Sequence, residues 1–128
     1  MWSSGRLEMD KITMANDPQD LSQKLAHLQA KYIAQFESRF DNITAALELL
    51  QGQNSLEDKA EGLKTLEYLT HKLAGSGATY GFPEITLAAK KIERACLQIK
   101  KTGQTLSTKD YDQLVLLVQD LAEAKPEN

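Results

Sequence analysis

A regular apolar spacing between residues 33 and 50 constrains the fold more than any other feature of this chain. Intervals of three and four residues alternate along it, at Ile33, Phe36, Phe40, Ile43, Leu47 and Leu50. In an α-helix this spacing puts the apolar side chains on one face, and such a face packs lengthwise against neighbouring helices. The segment therefore predicts one long helix of a bundle, ending near Gly52.

Three further segments have apolar stripes with helical spacing, and each follows a helix-start signal. Ser55–Asp58 and Ser107–Asp110 are similar to capping boxes, and Phe82–Glu84 puts a proline at the first helical position. Gly103 is expected to end the helix that this proline opens. Four long amphipathic segments with short connections predict an all-α fold, an antiparallel four-helix bundle.

A shorter apolar stripe lies ahead of these segments. It runs from Leu21 to Leu28, after an Asp17-Pro18 pair that suits a helix start. It predicts an additional short N-terminal helix packed on the bundle. We expect residues 1–16 to form a flexible arm, residues 17–124 the helical bundle, and residues 125–128 a frayed tail.

Composition excludes several classes of protein. The 128 residues have a formal net charge of -3, whereas a nucleic-acid-binding domain normally has a basic stripe. No apolar run approaches the ~20 residues of a membrane span, and no secretory signal is recognisable. We therefore expect a cytoplasmic protein with no membrane or nucleic-acid partner. The single cysteine, Cys96, excludes an internal disulfide, and with only two histidines the chain predicts no metal site.

His71 is the residue that a purely structural interpretation does not explain. On a helical wheel Leu66 and Leu73 define the core face, and His71 points roughly 140° away from Leu66. An isolated exposed histidine is usually a solvated surface residue. Here, however, Gly75 and Ala78 lie beyond it on the same face and leave room for another molecule. A neutral imidazole is nucleophilic near neutral pH and can attack a phosphoryl group.

The stretch from His71 to Phe82, HKLAGSGATYGF, resembles the signature of the histidine-containing phosphotransfer domain family. Ala88-Ala89 and Ile92-Glu93 are similar to the small pair and the apolar–Glu step that follow in that family. The resemblance covers about residues 20–122. A twelve-residue motif flanked by the expected helices is far more specific than a lone histidine.

The resemblance implies a relay function in a two-component system. His71 would accept a phosphoryl group through Nε2 from a receiver-domain aspartate and pass it to another receiver. The implied partners are response-regulator receiver domains and a sensor or hybrid histidine kinase. The chain would be a phosphotransfer intermediate without a cofactor of its own, with magnesium bound by the receiver. We expect a monomer, because one exposed reactive face needs no second copy. No phosphate-binding glycine loop is present, which agrees with a protein that is not itself a kinase.

The resemblance also assigns roles to two further residues. Gly75 would let the receiver reach the ring, and Phe82 would anchor the following turn in the core. The expected phosphoryl environment and docking surface comprise Lys64, Glu67, Lys72, Gly75 and Ala78.

One position departs from the family pattern. Many members have a lysine three residues after the histidine, where this chain has Ala74. We hypothesise that Lys64 or Lys72 supplies the missing positive charge. The main alternative function is a helical adaptor that binds a receiver or sensor kinase without being phosphorylated. A helical enzyme with a separate active site has little support, because no other cluster has catalytic spacing.

Overall fold

The computed structural model describes residues 18–103 and 106–126, and these residues form four α-helices and no strand. A 3₁₀ turn at Ala78–Tyr80 lies between the second and third helices. The helices are α1 at Pro18–Glu48, α2 at Leu56–Ser76, α3 at Pro83–Thr102 and α4 at Thr108–Ala124. The predicted all-α bundle is confirmed. The predicted arm at residues 1–16 lies outside the described residues. None of the four helices is long and apolar enough to cross a membrane.

The helix termini follow local chemistry. The Ser55 hydroxyl accepts a hydrogen bond from the Asp58 N–H at the start of α2. Ser107 and Asp110 form a reciprocal capping box at the start of α4, so both predicted caps are confirmed. Pro83 stands in the first turn of α3, and Gly103 ends that helix in the left-handed conformation, with φ +63.

The additional short N-terminal helix was a wrong prediction, because α1 runs without interruption over 31 residues. Residues 29–32, between the two predicted helices, contain neither glycine nor proline, so nothing breaks the backbone hydrogen-bond ladder there. Leu21, Leu25 and Leu28 stay about half exposed along this first part of α1. The helix also ends at Glu48, before Gly52, where the chain turns and the Leu50 N–H bonds to the Leu47 carbonyl.

The core draws on all four helices. Its fully buried aliphatic side chains include Ile43 from α1, Leu66 and Leu73 from α2, Ile85 and Ile92 from α3, and Leu114 and Leu121 from α4. The one buried polar side chain of α2 is Thr70, whose hydroxyl donates to the Leu66 carbonyl. That bond satisfies the hydroxyl within its own helix, so the core tolerates it.

A buried glycine lets α1 and α2 approach closely. A Cβ atom added at Gly62 would lie 2.7 Å from the Ala46 carbonyl oxygen and 2.9 Å from the Leu49 Cβ. The carbonyl belongs to α1 and Leu49 to the turn that directly follows it, and the carbonyl is backbone that cannot rotate away. Glycine therefore sets the distance between the two helices at this level.

We predict that Gly62→Ala destabilises the protein by about 1–3 kcal/mol, because the added methyl group forces the helices apart. The matched control is Gly75→Ala, since a Cβ at Gly75 meets nothing within 4 Å. That control should leave stability unchanged or raise it by up to about 1 kcal/mol through helix propensity. Urea denaturation followed by circular dichroism measures both. Equal midpoints for Gly62→Ala and the parent would refute the packing argument.

Candidate functional site

His71 stands on the outer face of α2, and its side chain is 73% exposed. The apolar residues Leu66 and Leu73 of the same helix are completely buried and fix the rotation of α2 against the bundle. The imidazole consequently points to solvent from a rigid backbone. This is the outward orientation that the helical wheel predicted.

Glu93 of α3 contacts the ring directly. Its carboxylate oxygen Oε2 lies 2.5 Å from Nδ1 of His71. An ionised carboxylate only accepts hydrogen bonds, so Nδ1 is the protonated nitrogen of the neutral ring. The lone pair of the imidazole is then on Nε2, on the side of the ring away from Glu93. Glu93 is only 20% exposed, which reduces screening of this contact by water.

A second polar bridge joins the same two helices next to the first. Lys100 of α3 donates to the Glu67 carboxylate at 2.9 Å, one turn before His71 on α2. Glu67 was predicted to belong to the phosphoryl environment. That assignment stays a prediction, and the charge of Glu67 is already matched by Lys100.

The two lysines that were hypothesised to supply positive charge lie apart from the ring. The Lys72 ammonium is 4.9 Å from the centre of the Tyr68 ring, in a cation–π contact. Lys64 is exposed two turns before His71. No hydrogen bond joins either lysine to the imidazole, and the hypothesis that one of them neutralises the phosphoryl group stays a prediction.

Small residues surround the C-terminal side of His71. Gly75 and Ala78 are both exposed, and the space where a Cβ of Gly75 would stand is empty. Another molecule can therefore approach Nε2 from this side. α2 extends through Gly75 to Ser76, so this glycine lies inside the last helical turn.

The turn after α2 is held tightly against α3. The Thr86 hydroxyl accepts a hydrogen bond from the Ala78 N–H at 2.7 Å. A Cβ at Gly77 would lie 2.7 Å from that same oxygen, so only glycine permits this close approach. Phe82, expected to anchor the turn in the core, is half-buried and stacks on Tyr32 of α1, with ring centres 5.8 Å apart.

Cys96 is the other nucleophilic side chain near these helices, and it is sealed in the core. Burial raises the pKa of its thiol to about 12, and the Glu67 carboxylate adds to the shift. The thiol thus remains protonated and does not compete with His71. Within the described ranges no group of three or more His, Cys, Asp or Glu side chains could hold a metal ion.

Glu93 is the functional residue that sequence reasoning missed. The Ile92-Glu93 pair contributed to the family resemblance, but no role was assigned to the glutamate. Glu93 lies 22 residues from His71 along the chain, and this separation alone does not predict that the two side chains form a pair. The contact depends on the register between α2 and α3, which the intervening turn determines.

The fold and the site define a class of protein: a helical bundle that presents one reactive histidine on an exposed helix face. A family model described as the Hpt domain matches residues 27–124, and the chain belongs to that family. Membership of this family indicates involvement in histidine phosphotransfer in a two-component phosphorelay, a process in which Hpt domains act with receiver domains and kinases. No curated protein and no solved structure gives a significant match to the chain.

We predict that Glu93→Ala changes the tautomer of His71. In the parent protein ¹⁵N–¹H correlation spectra of the neutral ring should show the proton on Nδ1. Without the carboxylate, the proton should redistribute between the two nitrogens. Glu67→Ala is the matched control, since it removes a nearby carboxylate that does not touch the ring. An unchanged tautomer in Glu93→Ala would contradict the assigned role of this contact.

Proposed function

We propose that this chain is a relay intermediate that takes a phosphoryl group onto Nε2 of His71 from the aspartyl phosphate of one receiver domain. It then passes the group to the aspartate of a second receiver. The observation that carries the proposal is the hydrogen bond between Nδ1 and Glu93, which directs the lone pair of an exposed imidazole to Nε2. A cytoplasmic monomer suffices for this role, because one reactive face needs no second copy.

The transfer step requires little chemistry from the Hpt domain itself. The Nε2 lone pair attacks phosphorus, the bond between phosphorus and the aspartate oxygen breaks, and the aspartate leaves as a carboxylate. The ring gains a positive charge, which the Glu93 carboxylate on Nδ1 stabilises. Magnesium is expected on the receiver. The helix supplies a fixed position for the nucleophile, and positioning with electrostatics provides most of the catalysis in such transfers.

The approach of a receiver is supported by the shape of the surface. Gly75 and Ala78 have no side chain large enough to shield the C-terminal side of His71, so the concave active site of a receiver can enclose the ring. We propose that Gly75 is the residue that admits the receiver. Tyr68, 56% exposed on the same helix, is a candidate anchor for its side chains.

We predict that His71→Gln abolishes phosphoryl transfer. Receiver domains of the source organism are labelled with [³²P]acetyl phosphate, desalted, and mixed one at a time with the chain. The parent should acquire an acid-labile, alkali-stable label. His27→Gln is the matched control, because His27 is the other histidine and is also exposed. A label that persists in His71→Gln would overturn the proposal.

The adaptor hypothesis gives a different outcome in the same experiment. An adaptor would bind a receiver, as measured by calorimetry, while no receiver in the complete set labels the parent chain. That combination would replace the relay with a binding function.

We predict that Gly75→Leu blocks receiver-dependent labelling, by about tenfold or more, because the side chain displaces the incoming active site. Labelling by phosphoramidate, a small donor, should change little in this variant. Gly52→Leu is the control, since Gly52 has equally open surroundings but lies in the loop between α1 and α2. A parallel loss with both donors would mean that the leucine damages His71 itself instead of blocking access.

A further inference from the structure

The phosphorylated site needs a positive charge that the described contacts do not supply. On phosphorylation, the Glu93 carboxylate balances the positive ring, and the phosphoryl group adds a dianion on the opposite nitrogen. The Lys100 ammonium is paired with Glu67, and the Lys72 ammonium lies over the Tyr68 ring. Each would have to leave its present partner in order to reach the phosphoryl oxygens.

The register between α2 and α3 identifies another cation. Two cross-contacts fix this register: His71 meets Glu93, and the Ala78 N–H meets the Thr86 hydroxyl. The helices run antiparallel, so the residues between these contacts face one another. On α2 they include Ala74 and Gly75, and on α3 they include Lys90.

Lys90 has the required orientation on α3. It precedes Glu93 by three residues, so both side chains lie on neighbouring parts of one helix face, a single turn apart. The adjoining Ala89 is fully buried, whereas Lys90 is exposed, so the lysine emerges at the edge of the α2–α3 seam. Among the described residues Lys90 takes part in no ion pair.

The part of α2 opposite Lys90 has no large side chain. Ala74 ends at its methyl group, and nothing lies within 4 Å of the Cβ position of Gly75. A long, flexible lysine side chain can therefore cross this gap toward the Nε2 side of the ring, where the phosphoryl group would be bound.

We propose that Lys90, reaching across from α3, is the cation that neutralises the phosphoryl group on His71, in place of a lysine on α2 at Ala74. The inference rests on the proposed function. The positive charge of Lys90 would attract an anionic donor to Nε2 and then pair with the phosphoryl oxygens. A lysine on the neighbouring helix can serve the same oxygens as one on α2 because the two helices share the seam beside the ring.

The test uses phosphoramidate on the full chain and needs no receiver. Nε2 attacks phosphorus, the new N–P bond forms, and the P–N bond of the donor breaks to release ammonia. Lys90→Ala should slow the labelling of His71 about two- to fivefold at low salt, the range expected for an exposed charge pair. The difference should shrink at 1 M salt, where exposed charges are screened. Lys90→Arg should restore most of the rate.

Lys91→Ala is the matched control, because Lys91 is equally exposed but lies about 100° further around α3. The ³¹P resonance of the phosphohistidine supplies an independent signature. It should move in Lys90→Ala and keep its position in Lys91→Ala. A loss of rate caused only by altered packing would not be rescued by arginine and would not vary with salt.

Other outcomes overturn the inference. If Lys90→Ala labels at the parental rate with an unmoved ³¹P resonance, Lys90 does not contact the phosphoryl group. The phosphoramidate labelling rates of Lys64→Ala and Lys72→Ala are measured in the same way. A salt-sensitive loss in either of them, but not in Lys90→Ala, would transfer the role to that lysine. Label that does not depend on His71 would instead refute the proposed function.

Discussion

The site depends on the close contact of α3 with the turn that follows α2. Because residue 77 is glycine, the Thr86 side chain can reach the backbone of that turn. The Ala78 N–H then donates a hydrogen bond to the Thr86 hydroxyl. This contact sets how far α3 is shifted along α2. Every polar bridge between the two helices follows from that shift, including the contact of Glu93 with His71 and that of Lys100 with Glu67. A displacement by one residue would rotate these side chains away from their partners.

Features with short-range causes were predictable from the sequence. The caps at Ser55 and Ser107 involve partners three residues away, and the termination at Gly103 needs only the left-handed conformation of one residue. The outward position of His71 was equally accessible, because helical periodicity relates it to the buried Leu66 and Leu73. In these cases the sequence separation is short enough for helix geometry alone to determine the outcome.

Features that depend on tertiary packing were not predictable in the same way. From the sequence alone Gly62 is only a weak helix former. The structure needs glycine there because the Ala46 carbonyl oxygen occupies the space that a Cβ atom would require. Glu93 belongs to the motif that carries the family resemblance, but only the register of α3 brings its carboxylate to His71. The wrong break in α1 has a different origin. The change in the apolar stripe suggests a helix boundary, but the backbone has no reason to stop where neither glycine nor proline interrupts the helix.

The proposed relay would have to release its phosphoryl group as readily as it accepts it, and the charge distribution around His71 suits this requirement. A cluster of unpaired cations would hold the dianion and slow its departure to the next receiver. Here Glu67 pairs with Lys100 and the Tyr68 ring engages Lys72, so in the proposed relay a single lysine, Lys90, serves the phosphoryl group on Nε2. Glu93 acts on the other nitrogen, where it stabilises the charged ring without contacting the phosphoryl oxygens. In the proposed relay, dividing these roles between two sides of the imidazole would let the helix pair support transfer in both directions, while the receiver would provide the metal and the reacting carboxylate.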